Sequence, residues 1–388
     1  MNRTNKKRKL PSLATVLTLV LMLAAGFGVG WLVAWQMDRA GLPGWQMVVL
    51  LLAAVYLGML VQIVLHEGGH LLAGLATGYG FVSFRIGSIM LLKKDGRLQF
   101  CRYQLAGTGG QCLLAPPPWR EEGFPSLLYN LGGPAANLLS AALCGLGAWL
   151  CWQKAPLAAG LWGVWAMLGL YLGLVNGIPL KIQGMPNDGY NALCLRGDKA
   201  AQRAIWAQLA INAAQIEGRR LKDLPAEWFE LPGGAGPDDP LKGAVWVCRY
   251  SRLLDEGRYE DAAALRARLL GSGARLAAVH RYSLEVDQAF FQLTEGQTEA
   301  GLAALQEKQL RAFLKQMKSH PGMALVLYGE ALAAGKTEEA ARRRRALDKM
   351  LAAWPYAGDA ASVRELLAWA EPKLCKPVTE SGAKCEIL

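Results

Sequence analysis

Between Val64 and Leu72 the chain reads Val-Leu-His-Glu-Gly-Gly-His-Leu-Leu, and this stretch holds the residues best suited to chemistry. His66 and His70 are four positions apart. On a helix both imidazoles then leave one face about one turn from each other and can reach a single metal ion. Glu67, beside the first histidine, can accept a proton from water activated by that metal. In hydrolytic zinc sites the ion lowers the pKa of water to about 7, which creates a nucleophile at neutral pH and polarises a carbonyl. Context strengthens the reading, because no other Asp, Glu, Lys, Arg or His occurs between Ala40 and Phe84. An ionisable residue inside a membrane span is costly and points to function by default.

Two imidazoles leave a place for a third ligand. His280 and His320 lie far along the chain in a segment of soluble character, and their expected roles are surface or packing ones. Asp188, in Met185-Pro-Asn-Asp-Gly-Tyr190, is the better choice. It follows the last long apolar run, and Asn176, Pro179 and Gly184 predict a broken helix end nearby. Irregular backbone at membrane depth is tolerated where it lines a cavity, and a hydrolytic site needs one for water to enter. A set of two histidines and a carboxylate suits Zn2+ best.

The elements that must position these groups are membrane spans. Four apolar runs are long enough to cross a bilayer, which takes about twenty helical residues. They extend from Ser12 to about Gln36, from Trp45 to about Ala76, from about Ser126 to Trp152 and from about Leu157 to Leu180. The first is too long for a signal peptide and lacks a convincing cleavage site, so it is read as an uncleaved span. Arg3, Lys6, Lys7, Arg8 and Lys9 precede it, and Arg85, Lys93, Lys94, Arg97, Arg102 and Arg120 fill the loop between the second and third runs. The connections on the opposite side carry only Arg39 and Lys154. The positive-inside rule therefore places both termini and the long loop in the cytoplasm of a multi-pass cell-membrane protein. In that loop Val82, Phe84 and Ile86 alternate with polar residues, and Leu98, Phe100 and Arg102-Tyr103 follow Asp95-Gly96. This predicts a small β-hairpin, either a plain connection or an edge that holds an extended substrate by strand addition.

The formal net charge of +11 over 388 residues has its clearest source in the N-terminal basic cluster, a topology signal. No helix-turn-helix or zinc-finger pattern accompanies it, so nucleic acid is excluded as a partner. The eight cysteines are scattered without a CxxC pair, which fits reduced thiols; Cys375 and Cys385 are the one pair placed to bridge. Beyond Asn191 the chain reads as soluble and mostly helical, with a Pro/Gly/Asp-rich linker from Leu231 to Leu241. Gly257, Gly296 and Gly335 recur at intervals of 39 residues, each between two helical patterns where a C-cap glycine would turn the chain. These units resemble tetratricopeptide-type repeats, which bind proteins, although their period is longer. Arg342 to Arg345 reads as a solvated helix face. The fold class expected is an all-α polytopic membrane protein of about four transmembrane helices with a small β-hairpin, followed by a soluble helical repeat-like domain. The expected divisions are residues 1–191, a connector over 192–240, and 241–388.

Three elements in order, HEGGH at 66–70, Gly-Gly-Pro-Ala-Ala-Asn at 132–137 and the segment from Asn176 to Gly189, make residues 45–191 resemble the site-2 protease family of intramembrane zinc metalloproteases. The resemblance implies that His66, His70 and Asp188 bind zinc and that Glu67 is general base and acid. It also implies that Asn137 assists the zinc water or the oxyanion; a packing seam of small residues is the alternative. One departure stands out. The family's compact Asn-x-x-Pro-x-x-Pro-Leu-Asp-Gly run is longer here, and Asn187 replaces its leucine. The activity expected is hydrolysis of a membrane-embedded protein substrate near the cytosolic face of the lipid bilayer, with the C-terminal helices meeting a cytosolic protein partner. A catalytically idle scaffold recruiting that partner, and a metal transporter or sensor built from the same ligands, are the rival readings. An intact HEGGH argues against the first. The lack of any span carboxylate other than Glu67 argues against the second.

Overall fold

The computed structural model describes residues 23, 26–28, 30–31, 33–103, 109–121, 123–182, 185–193, 197–271 and 273–375. The first expected span, from Ser12 to about Gln36, lies mostly outside them, as does Cys385. Residues 33–38 are helical, with Gln36 buried and its amide donating to Trp152 O.

Three helices are long and apolar enough to cross a membrane: α1 (Gly44–Ala76), α2 (Ser126–Cys151) and α3 (Pro156–Gly177). They agree with the second, third and fourth expected runs. The 33 residues of α1 extend about 50 Å at 1.5 Å per residue, more than the roughly 30 Å of hydrocarbon, so one end projects beyond it. The outer faces keep Leu52, Leu57, Leu139, Leu143 and Leu150 exposed. In water such a surface would drive association; against lipid it costs nothing. The contact faces instead bury Gln62, His70, Asn130 and Asn137, because without water these polar groups need one another.

A four-stranded antiparallel sheet joins α1 to α2, with β1 (Gly80–Ile86), β2 (Ile89–Lys94), β3 (Arg97–Arg102) and β4 (Gly110–Ala115) in the order β3-β2-β1-β4. The hairpin expectation is thereby extended. The Asp95-Gly96 turn, with φ of 50° and 75°, joins β2 to β3, as positive φ at both central residues of a tight hairpin demands. Ser83–Ile86 of β1 pairs with β2 and β4 rather than with β3, and the β4 register shifts at Val82.

After α3 the chain leaves the helix at Ile178 and forms a two-residue ladder, β5 (Lys181–Ile182) with β6 (Met185–Pro186). It then starts the short α4 (Asp188–Leu193). Next come α5 (Lys199–Ile216), α6 (Pro240–Asp255), α7 (Tyr259–Gly271), α8 (Ala278–Thr294), α9 (Thr298–Gln306), α10 (Lys308–Gln316), α11 (Pro321–Ala333), α12 (Thr337–Ala353) and α13 (Ala357–Leu374). Gly257, Gly296 and Gly335 take φ of 71°, 85° and 68° just after α6, α8 and α11, the left-handed conformation that lets a helix hairpin turn. The 231–241 stretch is not slack, because Leu231 and Leu241 pack beside Trp206 and Val245 and Asp239 caps α6. Within 342–345, Arg343 pairs with Glu339 and Arg344 with Asp348 and Glu371, so this face is knitted to its neighbours.

The sheet is clamped from the soluble side. Val82, Met90, Leu92 and Leu113 form one core with Ala213 and Ile216 of α5, with Tyr356 packed against it. Tyr103, at the end of β3, meets Trp354 and Tyr356 edge-on. Trp354 in turn donates its indole N–H to Asp359 and packs against His320.

Candidate metal centre

His66 and His70 lie on the final third of α1, one turn apart, and both rings face α2. Their Nε2 atoms are 3.2 Å from each other. Asp188, the first residue of α4, brings Oδ2 to 3.2 Å from His66 Nε2 and 3.4 Å from His70 Nε2. Among the described residues these three form the group of His, Cys and carboxylate side chains able to hold a metal. The far nitrogens are already engaged. His70 Nδ1 is 2.7 Å from Tyr129 O, and His66 Nδ1 is 2.7 Å from Asn137 Oδ1. A backbone carbonyl only accepts, so His70 carries its proton on Nδ1 and turns an Nε2 lone pair inward. Lone pairs facing a carboxylate at this range repel unless a cation lies among them. A tetrahedral zinc site with bonds of about 2.0–2.1 Å has ligand–ligand edges of about 3.3–3.4 Å. The triangle of donor atoms fits one face of such a site.

Asp188 supplies the negative charge. Its position is set by Asn187, which sequence reasoning marks only as a departure from the family pattern. Asn187 Oδ1 accepts from Leu180 N at 3.0 Å and Tyr190 N at 2.9 Å. Its Nδ2 donates to Val175 O at 2.7 Å and Ile178 O at 2.6 Å. One amide thus ties together the frayed end of α3, the loop and the start of α4. A leucine has no means of doing this. Asn176, the other asparagine of the segment, turns back to Leu172 O instead.

The Gly-Gly-Pro-Ala-Ala-Asn stretch on α2 has three separate tasks. Gly132 lets α2 approach the backbone of α1 at Gly69, the small-residue contact that draws membrane helices together. Gly133 keeps the centre open, because a Cβ there would sit 2.5 Å from His70 Nε2 and 2.8 Å from His66 Nε2. Asn137, fully buried, lies behind the His66 ring. Its amide nitrogen donates to Gln62 O at 2.9 Å and Gln62 Oε1 at 2.8 Å. Both protons are therefore committed, and the side chain positions His66 with no N–H left for an oxyanion.

Glu67 turns toward the sheet. Its carboxylate accepts a hydrogen bond from Cys112 N–H of β4 and lies close enough to His66, His70 and Asp188 to interact electrostatically with each. Gly110 makes room, since a Cβ there would be 2.9 Å from Glu67 Oε1. Tyr129 OH donates to Cys112 O at 3.3 Å, so β4 is fastened to both α1 and α2. β4 is not read from the sequence, because a Gly-Gln-Cys-Leu-Leu-Ala run carries no alternation, and Gly133 is read only as part of its motif, with no sign that it faces the two histidines. Comparison with protein families, curated proteins and solved structures finds no match for this chain.

Proposed function

We propose that the protein is a zinc-dependent intramembrane endopeptidase. It would cleave a transmembrane or membrane-anchored protein near the cytosolic side of the bilayer, as the resemblance of its three motifs to the site-2 proteases implies. The observation that carries the reading is the convergence of His66, His70 and Asp188 from two separate elements onto one point inside an apolar bundle, with a glutamate alongside. His66, His70 and Asp188 would hold the ion. Zinc bound there would supply Lewis acidity, favouring ionisation of water and polarising a peptide carbonyl.

The chain's own residues account for the remainder. Glu67 takes the proton of the attacking water and delivers it to the departing amine nitrogen as the C–N bond breaks. Asn137 and Tyr129 O keep both imidazoles oriented. The exposed leucines of α1 and α2 let a substrate helix approach through lipid, where its peptide bonds are shielded by their own hydrogen bonds until it unwinds. An extended segment laid along β4 would take over Cys112 N–H and release the Glu67 carboxylate for catalysis. The N-terminal apolar run adds a fourth span, with both termini cytoplasmic by the positive-inside rule. The helical region after Leu241, read as tetratricopeptide-like, offers a surface for a cytosolic partner. A catalytically idle scaffold remains the rival from another class, and Glu67 decides between them.

Glu67→Gln should retain one zinc per chain by metal analysis. Its cleavage of a model single-span substrate in proteoliposomes should fall at least a hundredfold, the usual scale of a lost general base. Wild-type protein that binds no zinc, or a variant that cleaves normally, would overturn the proposal.

A further inference from the structure

Gln62 lies one helical turn before His66 on α1, is 1 % exposed, and has no place in the motifs read from the sequence. A glutamine buried inside a transmembrane helix is costly unless every polar atom is matched. Here each is. Nε2 donates to Ser140 Oγ at 2.9 Å and to Trp165 O of α3 at 3.3 Å. Oε1 accepts from Asn137 Nδ2 at 2.8 Å.

The orientation of this chain of groups follows from its fixed ends. Trp165 O is a backbone carbonyl and can only accept, so the Gln62 atom facing it is the amide nitrogen, and the atom facing Asn137 is the oxygen. Gln62 O is likewise an acceptor, so the Asn137 atom 2.9 Å away is its nitrogen. Asn137 then has its oxygen toward His66 Nδ1, which must carry the proton. His66 is left with a lone pair on Nε2, the atom that faces Asp188 and His70.

We infer that Gln62 is a positioning residue for the metal centre: through Asn137 it locks His66 in the tautomer whose Nε2 can bind a metal, and it anchors that lock to α3. The inference rests on the reading of His66 as a metal ligand, and it adds a residue outside all three motifs. A neutral amide is suited to the task. It orients its neighbours through directional hydrogen bonds and brings no net charge into the bilayer. Outer-shell partners of ligating histidines are worth about 10–100-fold in metal affinity. Gln62 acts one bond further out, which places its effect at about tenfold, the lower end of that range.

The test uses full-length protein in detergent, with zinc itself as the probe. Zinc titration against a competing chelator should show about tenfold weaker binding for Gln62→Leu. Gln62→Glu, neutral in the apolar interior, keeps an acceptor for Asn137 and an O–H that donates toward Ser140 Oγ and Trp165 O; it should restore most of the affinity. On metal-free protein, 15N spectra of labelled histidine, with His66 assigned by its loss in His66→Gln, should show Nδ1 protonated in the wild type. In Gln62→Leu they should show a mixture of tautomers. The inference fails if wild-type His66 is protonated on Nε2, or if Gln62→Leu matches the wild type in both tautomer and zinc affinity. Wild-type protein that binds no zinc but shows the Nδ1 tautomer and its loss in Gln62→Leu would sink the zinc reading and leave the positioning role standing. Should Gln62→Leu fail to fold, the wild-type tautomer and the zinc affinity of Gln62→Glu still decide it.

Discussion

The membrane bundle and the helical region solve the same problem, fixing polar side chains in place, with different materials. Around the candidate metal centre the holding is done by neutral amides and a hydroxyl: Gln62, Asn137, Ser140 and Asn187. Among the soluble helices it is done by ions. Arg220 bridges buried Asp255 and exposed Glu365, Lys242 meets Asp198, Asp238 and Asp239, and Glu330 holds Arg311 and Arg343. Solvent decides the choice. Lipid offers no compensation for a formal charge, so charge is kept for the reacting groups and directional dipoles do the positioning. Near water a charge is cheap to hold, and pairs accumulate.

Two partly buried aspartates make the contrast sharper. Asp188 faces the Nε2 atoms of two imidazoles at 3.2 and 3.4 Å, a donor set that a cation completes. Asp287 receives only a hydrogen bond from Tyr250 OH at 3.2 Å, with Arg266 close by. Burial outweighs both and pushes its carboxyl up to about 6.

This comparison can be broken at several points. Arg220→Ala should have the largest effect on stability, because it strands the Asp255 carboxylate, 4 % exposed; loss of one partner of a buried pair costs about 3–5 kcal/mol. Urea denaturation would report it, and a loss below 1 kcal/mol would mean that water reaches Asp255. Asn187→Leu comes next. It orphans four backbone groups, and zinc affinity should drop about 10–100-fold while the soluble helices melt as before. Unchanged zinc binding would show that Asp188 needs no clamp.

Asp287→Asn is a smaller change with a characteristic sign. A carboxyl whose folded pKa lies above its unfolded value binds more protons in the native state, so its contribution to stability falls as pH rises from about 4 to 6. The substitution should therefore stabilise the protein at pH 7.5 by about 1 kcal/mol after discounting for partial exposure, read as a higher melting temperature, and give no gain at pH 4. A gain equal at both pH values would assign the effect to packing. At the small end, Arg258→Ala removes the exposed contact with Asp261 and should leave the melting curve where it was, since such pairs contribute little.

How much of this was readable in advance depends on which forces write themselves into local sequence. His66, Glu67 and His70 stood out because charge is rare in a span, and Asp188 because the helix before it had to break. The three described spans were legible to within a few residues from apolar length alone. The sheet was half legible. The Asp95-Gly96 turn announced a hairpin, but Ile89–Leu92 is apolar on both faces, and β4 shows no alternation, so neither declared itself a strand. Gln62 was invisible as a site residue, Gly133 was legible only as part of its motif, and Asn187 only as a departure from the family pattern. Their roles arise from what α2, α3 and α4 bring near them, and nothing in their own neighbourhoods encodes that meeting. Asn137 was legible as a member of the site, but its place behind the His66 ring emerged only with the network.

The sheet core shared with α5 and Tyr356 bears on any attempt to work with the membrane-spanning half alone. A fragment cut at residue 191, where the composition changes, would leave Val82, Met90, Leu92 and Leu113 without the side chains that cover them. Such a piece would clump through its bared β-strands. The smallest workable unit therefore has to reach past Tyr356, nearly the whole chain.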